Sequence, residues 1–283
     1  MMVQYADDCQ FLLDGEVENL NDMKTKAEEV LTKAKRYFDK NGLLINPRKT
    51  QCLFIGSRQN IASIPDDLCL NFDGAEITPS LSVKNLGIYM DRFMTFDVHV
   101  DEMRKKVMGI LMYLNRIRDC IPLSIRPNIV ETLALSILNY GLKIWGSTNK
   151  THIQKVQKLQ NFAARIALGN IRKYEHITPH LNNLHWLKIR NKSIYDICMY
   201  IYKCLRNEIP PWILSLPRVG DHTTRVTRQQ NNLLIPPTRT LTGEREMGVR
   251  GPKLWNSLPE VVKNSVSIHS FKRNLKTHLL HKQ

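Results

Sequence analysis

The spacing of apolar positions changes character along this chain. Up to about residue 92, short apolar runs alternate with turn signals; beyond it, apolar residues recur every three or four positions. Residues 4–6 and 9–13 predict two short strands on either side of Asp7-Asp8, a pair suited to a tight hairpin turn. Asp14-Gly15 is a second turn signal. Leu20, Met23, Ala27, Val30, Leu31, Ala34 and Phe38 predict an amphipathic helix, with Asn19 or Asn21 able to cap it and Gly42 able to end it. Residues 43–45 and 51–55 predict strands separated by Asn46-Pro47-Arg48-Lys49-Thr50. Residues 68–72 and 75–77 straddle Asp73-Gly74 and predict a hairpin, and 83–90 predict one further strand.

In the second texture, residues 96–118 predict a helix with Val100, Met103, Val107, Ile110, Leu111 and Leu114 on one face. Residues 124–138, 151–168 and 188–205 also predict helices. Residues 207–266 hold most of the prolines and little periodicity, so extended loops with short elements are expected there, before a short basic helix over 267–281. The expected class is therefore α+β in the first part and mostly α afterwards.

A length of 283 residues suggests about two domains. No uncharged apolar run is long enough to span a membrane, since residues 129–145 carry Glu131 and Lys143. The N-terminus is acidic rather than basic, so no secretory signal peptide is expected. Cys9, Cys52, Cys69, Cys120, Cys198 and Cys204 are widely separated and read as reduced thiols of an intracellular protein, nuclear or cytoplasmic. The net charge of +15 is uneven: residues 1–101 carry 11 basic and 16 acidic side chains, residues 102–283 carry 30 and 10. A region with a net of +20 attracts polyanions and gains from counterion release, so nucleic acid is the leading partner.

Asp7 and Asp8 are the candidate chemistry. Adjacent carboxylates on a β-turn can hold Mg²⁺, which takes oxygen ligands, and a pair of such ions can activate a 3′-hydroxyl and stabilise departing pyrophosphate. Asp-Asp is also common in turns that do no chemistry, and the four residues Tyr5 to Asp8 do not decide between the two.

The residues that follow extend the pattern. "YADD" in an apolar hairpin, an amphipathic helix, "NGLLINPRKTQCLFIG" and "VKNLGIYMD" together resemble the back half of a reverse transcriptase palm of the non-LTR (LINE-type) retrotransposons, in particular the jockey-like elements. "HVDEMRKKVMGILMYLNRIR" is similar to the helix that opens their thumb, and "LNYGLKIWG", "KVQKLQNFAARIALG", "RGPKLWNSLPE" and "FKRNLKTHLL" resemble the markers that follow. The resemblance implies a partial palm over 1–92, a helical thumb over 93–148, a helical connection over 149–206 and a basic, Pro-containing region over 207–283. It implies Asp7 and Asp8 as Mg²⁺ ligands and catalytic residues, and Lys49 as the group that protonates or orients the departing phosphates. Tyr5 would lie near the primer terminus, Leu86-Gly87 would form the primer grip, and Arg104, Lys105 and Lys106 would face phosphates. RNA template, DNA primer and deoxynucleotides are the implied partners.

Reverse transcriptases of this family also need an Asp from an earlier palm strand, and fingers to hold the nucleotide; this sequence starts four residues before Tyr5. Asp14 lies six positions past Asp8, about 20 Å along a strand, and cannot substitute. The expectation is a fragment of an RNA-directed DNA polymerase that is inactive by itself, unless a missing N-terminal half acts in trans. Its exposed strand edges also predict a marginal first part. The alternatives are a non-catalytic nucleic-acid-binding protein or a non-functional remnant. Zinc on His176, His180, His185, Cys198 and Cys204 is disfavoured, because Pro179 argues against a helix that would align His176 with His180. Trp145, Trp186, Trp212, Trp255, Tyr195, Tyr200 and Tyr202 could stack on bases, though helical spacing of Tyr195, Met199 and Tyr202 reads more readily as core.

Overall fold

The computed structural model describes residues 1–6, 8–169, 171–172, 174–222 and 229–283, the side chain of His222 excepted. It is 56% helical with small antiparallel sheets, an α+β protein. The chain forms two compact units, Met1–Val98 and His99–Gln283.

Among its described residues the first unit contains three two-stranded antiparallel sheets: β1 (Met2–Tyr5) with β2 (Asp8–Phe11), β3 (Leu70–Phe72) with β4 (Ala75–Ile77), and β5 (Ser82–Asn85) with β6 (Ile88–Asp91). An isolated hairpin is marginal in water, so each needs a partner. For β3–β4 the partner is α1 (Leu20–Lys40). Leu70, Phe72 and Ile77 are buried there against Ala27 and Leu31 of the helix and against Ile45 and Cys52. Glu28 accepts the Asn71 N–H at 2.8 Å, and Lys35 pairs with Asp73 at the turn. α1 ends as its sequence predicts: Gly42 at φ +71° lets its N–H reach the Asp39 carbonyl while the Leu43 N–H reaches that of Phe38. These paired bonds close the last helical turn. Asn19 stands at the N-cap but makes no side-chain capping bond.

Two strand expectations fail. Residues 43–45 form no strand, and 51–55 contribute only a single bridge, Cys52 to Pro79. Pro79 has no N–H, so that ladder lacks a donor at the point where it would extend. The expected strand over 83–90 is instead the β5–β6 hairpin, because Leu86 (φ +45°) and Gly87 (φ +84°) both adopt left-handed backbone and reverse the chain. Between β2 and β3, Pro47–Lys49 form one 3₁₀ turn and α2 (Arg58–Ala62) one short helix.

The second unit is helical. α3 (Asp97–Ile117), which starts at the unit boundary, buries His99, Val100, Met103, Val107, Leu111 and Leu114. α4 (Arg126–Val130) runs through one π-helical stretch (Glu131–Leu135) into α5 (Ser136–Asn139), which together fill the single helix expected over 124–138. There follow α6 (Leu142–Trp145), α7 (Lys150–Leu168), α8 (Thr178–Asn183) and α9 (Ile189–Leu205). Asn149 caps α7 by accepting the His152 N–H, and Gly169 at φ +73° ends it. Pro179 does not exclude a helix at 178, since it occupies the first turn of α8, where its missing N–H is harmless. His176 lies outside that helix, and His180 pairs with Glu175 at 2.7 Å.

Residues 207–266 hold more helix than their prolines suggest: α10 (Leu241–Arg245), α11 (Met247–Asn256) and α12 (Glu260–Lys263). Pro252 sits inside α11, where it is buried. α13 (Ile268–His281) closes the unit behind a capping box on Ser267 and Ser270. α9 is the hub: Tyr202 stacks on Phe271 of α13 at 4.1 Å, and Trp255 of α11 lies 5.8 Å from the same ring. A Cβ on Gly251 would meet Ile201 at 2.6 Å, so glycine allows α11 its close approach to α9.

Burial holds the pKa of His99 below the ordinary imidazole value. Burial first, then the charges of Lys282 and His281, does the same for His278. As the pH falls below about 6.5, the unfolded chain therefore binds protons before the folded one does. The second unit should be most stable above that pH and lose stability on acidification, and His99→Gln should flatten the slope. Urea midpoints measured between neutral and mildly acidic pH check this; a wild-type midpoint independent of pH would contradict it.

Candidate nucleic-acid interface

β1 and β2 pair in register from Met2–Phe11 to Tyr5–Asp8, leaving two residues to make the reversal. Ala6 takes φ +52°, a left-handed conformation that a two-residue hairpin turn demands and that costs a non-glycine residue about 1 kcal/mol. Gln4 offsets part of this by donating its Nε2–H to the Ala6 carbonyl at 3.2 Å. Asp7 lies outside the described residues. Asp8 opens β2 with its side chain exposed, directly across from Tyr5, which is also exposed. Burial first, and then the Asp8 charge, raise the Cys9 thiol. The tip thus offers solvent one described carboxylate with a phenol opposite.

The β5–β6 hairpin lies beside this one. Asn85 donates its Nδ2–H to Gln10 Oε1 at 3.2 Å, joining the strand that leaves the Tyr-Ala-Asp-Asp turn to the residue before Leu86-Gly87. Two of the elements singled out in the sequence are therefore neighbours through a side-chain hydrogen bond. Leu86 is about half exposed, an apolar side chain at a turn tip, and Lys84 lies over the Tyr89 ring at 5.4 Å across the hairpin.

Lys49 is elsewhere in this unit. It ends the 3₁₀ turn begun by Asn46, whose side chain accepts the Arg48 N–H at 3.0 Å, and the turn lies beside β4. Lys49 is exposed, and among the described residues no hydrogen bond or ion pair joins it to Asp8. Arg104, Lys105 and Lys106 belong to the second unit, on α3. Arg104 is half-buried and pairs with Asp101 at 3.0 Å; Lys105 is exposed and pairs with Glu102 at 2.6 Å. The hydrogen bond to Glu102, and then its charge, raise the pKa of Lys105. Each of these cations is thus partly compensated one turn away, and Lys106 is exposed.

Among the described residues no group of three His, Cys, Asp or Glu side chains is arranged to hold a metal ion. Mg²⁺ requires several oxygen donors at near-octahedral positions. The described donors at the hairpin tip do not complete such a site, so no step is assigned to a metal here. Of the aromatic candidates, Trp145, Trp186, Trp255 and Tyr202 are buried, and Trp145 donates its indole N–H to the Tyr140 carbonyl at 2.8 Å. These are core residues. Trp212 is 82% exposed and remains open to solvent.

Asp91 closes the motif "VKNLGIYMD" in the sequence, and in the structure it organises the loop after β6. Its carboxylate accepts the N–H groups of Phe93 and Thr95 at 3.0 Å and of Phe96 at 2.6 Å, and the Thr95 hydroxyl at 3.1 Å. These bonds offset left-handed backbone at Met94 and Phe96. The only sequence signal was an acid at a strand end. No helix is long and apolar enough to cross a membrane among the described residues.

Several known proteins are similar to this chain. Over 91 residues it is 31% identical to the "Probable RNA-directed DNA polymerase from transposon X-element" of Drosophila melanogaster, a match covering 31% of this chain and 10% of that protein. Over 163 residues it is 24% identical to the "RNA-directed DNA polymerase from mobile element jockey" of the same organism, covering 56% and 17%. Over 148 residues it is 26% identical to the "Retrovirus-related Pol polyprotein from type-1 retrotransposable element R1 3" of Nasonia vitripennis, covering 50% and 37%. The chain thus spans a small part of the relatives it matches. No family model matches it. No solved structure matches it.

Removing the Asp91 carboxylate should loosen the loop it organises. Asp91→Ala is expected to destabilise the first unit by about 2 kcal/mol, the scale of hydrogen bonds to a charged group. Amide exchange would show it: protection should fall at Thr95 and Phe96 first, with the second unit unchanged. Unaltered exchange at both would contradict the assignment.

Proposed function

We propose, for a chain related to the RNA-directed DNA polymerases of non-LTR retrotransposons, that it is the C-terminal portion of such a reverse transcriptase, of the jockey-like kind. Residues 1–92 are the back of a palm, 93–148 a thumb, 149–206 a helical connection and 207–283 a basic C-terminal region. The observation that supports this most is the Gln10–Asn85 hydrogen bond. A polymerase needs its carboxylates and the backbone that positions the primer in one place, and this contact joins the two hairpins that would supply them.

In this reading Asp7 and Asp8 are two of the ligands for Mg²⁺, which when bound supplies charge for the 3′-hydroxyl and the leaving pyrophosphate. Tyr5 flanks the primer terminus. Leu86-Gly87 brings bare backbone to the primer strand, where Gly87 adds no side chain in the way. Lys49 offers a point charge to phosphates, and Arg104, Lys105 and Lys106 contact the duplex backbone. The partners are an RNA template, a DNA primer and deoxynucleotides.

These 283 residues are not expected to polymerise alone. Two-metal chemistry needs a further carboxylate near Asp7 and Asp8, and the next acid in the sequence is Asp14, six positions beyond Asp8 and past the end of β2 at Phe11. In this reading the further ligand is supplied by a longer polypeptide or by another chain in trans. A second reading, a non-catalytic nucleic-acid-binding protein, is supported by the +20 net charge of residues 102–283.

Primer extension on an RNA template with Mg²⁺, comparing the chain with Asp7→Ala, tests the reading. Expected is no extension from either, with both binding the primer–template equally and less tightly as salt rises. Extension lost in Asp7→Ala would overturn the inactivity claim. Failure of the folded chain to bind primer–template would overturn the polymerase-fragment reading.

A further inference from the structure

Most of the basic side chains picked out along α3, α9 and α12 sit one turn from a carboxylate: Arg104 pairs with Asp101, Lys105 with Glu102, Lys192 with Asp196 and Lys263 with Glu260. α13 differs. Residues 261–283 contain no Asp or Glu at all. Phe271, Leu275 and Leu279 fix the helix by burying one face against Ile197, Ile201 and Tyr202 of α9, among others. His269, Lys272, Arg273 and Lys276 recur at i, i+3, i+4 and i+7, which gathers them on a stripe about 100° wide. All four are exposed, and among the described residues none of them is in an ion pair.

We infer that this outward face of α13 is a contact surface for the phosphate backbone of nucleic acid. The proposal rests on the nucleic-acid reading above and names a surface that reading does not include. The stripe runs about 10 Å along the helix axis, the span of about three phosphates on one strand of a duplex. A membrane is the poorer fit. Interfacial helices insert an apolar face beside the basic one, and here that face is already buried in the core. Arg206 extends the positive surface toward the start of the helix, where its guanidinium donates to the carbonyls of Ser265 and Val266 at 3.2 and 2.8 Å.

The test measures fluorescence anisotropy of a labelled mixed-sequence duplex against the full chain, between about 50 and 200 mM salt. It compares the wild type, the triple variant Lys272→Gln/Arg273→Gln/Lys276→Gln, and a control with the same charge change on exposed positions of α1, Lys26→Gln/Lys33→Gln/Lys40→Gln. All substitutions lie on exposed positions, and circular dichroism verifies the fold. The triple variant should bind roughly tenfold to a hundredfold more weakly, and the slope of log affinity against log salt should shrink by about 2 to 3, while the control stays close to wild type. Wild-type binding that the triple variant retains in full would overturn this proposal and leave the polymerase-fragment reading intact. A control that loses as much would overturn it too. Absence of wild-type binding would overturn both. In a parallel arm with phosphatidylserine vesicles, a triple variant that loses the vesicles but keeps the duplex would assign the face to membranes and refute the proposal.

Discussion

Each sheet of the first unit must reverse direction within two residues, and this constraint shapes everything built on it. Two-residue turns require left-handed backbone, and the chain meets the requirement three times: at Ala6 (φ +52°), at Asp73-Gly74 (+52° and +77°) and at Leu86-Gly87 (+45° and +84°). Among the described residues of these turns, Ala6, Asp73 and Leu86 are not glycine and pay a conformational penalty. Local hydrogen bonds and neighbouring elements offset it, with Gln4 holding the Ala6 carbonyl and Lys35 holding Asp73. Because the reversals are short, side chains next to them are held near the tips. Asp8 and Tyr5 face each other at one tip, and the strand behind them bonds to the strand behind another.

The second unit is organised by approach distances. A Cβ on Gly146 would meet Ser193 at 2.6 Å and one on Gly251 would meet Ile201 at 2.6 Å, so two glycines bring separate segments onto α9. Arg250 ties them together by donating to the Gly146 carbonyl at 3.4 Å and to Ser193 Oγ at 3.1 Å. Its guanidinium lies in a buried setting that, together with the charge of Arg190, lowers its pKa. The motifs "LNYGLKIWG" and "RGPKLWNSLPE", far apart in sequence, are thus halves of one packing arrangement. Asn256 completes it by exchanging two 2.9 Å hydrogen bonds with the backbone of Leu233.

Long amphipathic helices were legible because burial follows the same period as sequence. The face expected of α3 is the face buried, through Val100, Met103, Val107, Leu111 and Leu114. The Asp73-Gly74 hairpin was legible because its turn residues state their backbone preference, and the β1–β2 hairpin because its two strands read as short apolar runs. Leu86 hid a turn, since an apolar residue beside one glycine reads as a strand interior. The loop organised by Asp91 was invisible because three of its four bonds come from backbone N–H groups, which carry no sequence signature. The joining of Gln10 to Asn85 is a contact between residues 75 apart that no local pattern encodes. α11 escaped because Pro252 suggested a loop, yet it lies buried in the interior of the helix.

The central claim is that the hairpin whose tip carries Tyr5 and Asp8 and the hairpin that turns at Leu86-Gly87 serve one nucleic-acid end. Ultraviolet crosslinking of an RNA template annealed to a DNA primer, with a photoreactive base at the primer 3′ end, tests it most directly once crosslinked peptides are mapped. The account predicts crosslinks within residues 1–13 and 82–91 from the same primer end. Crosslinks confined to the second unit, with both hairpins spared while the duplex is bound, would contradict it.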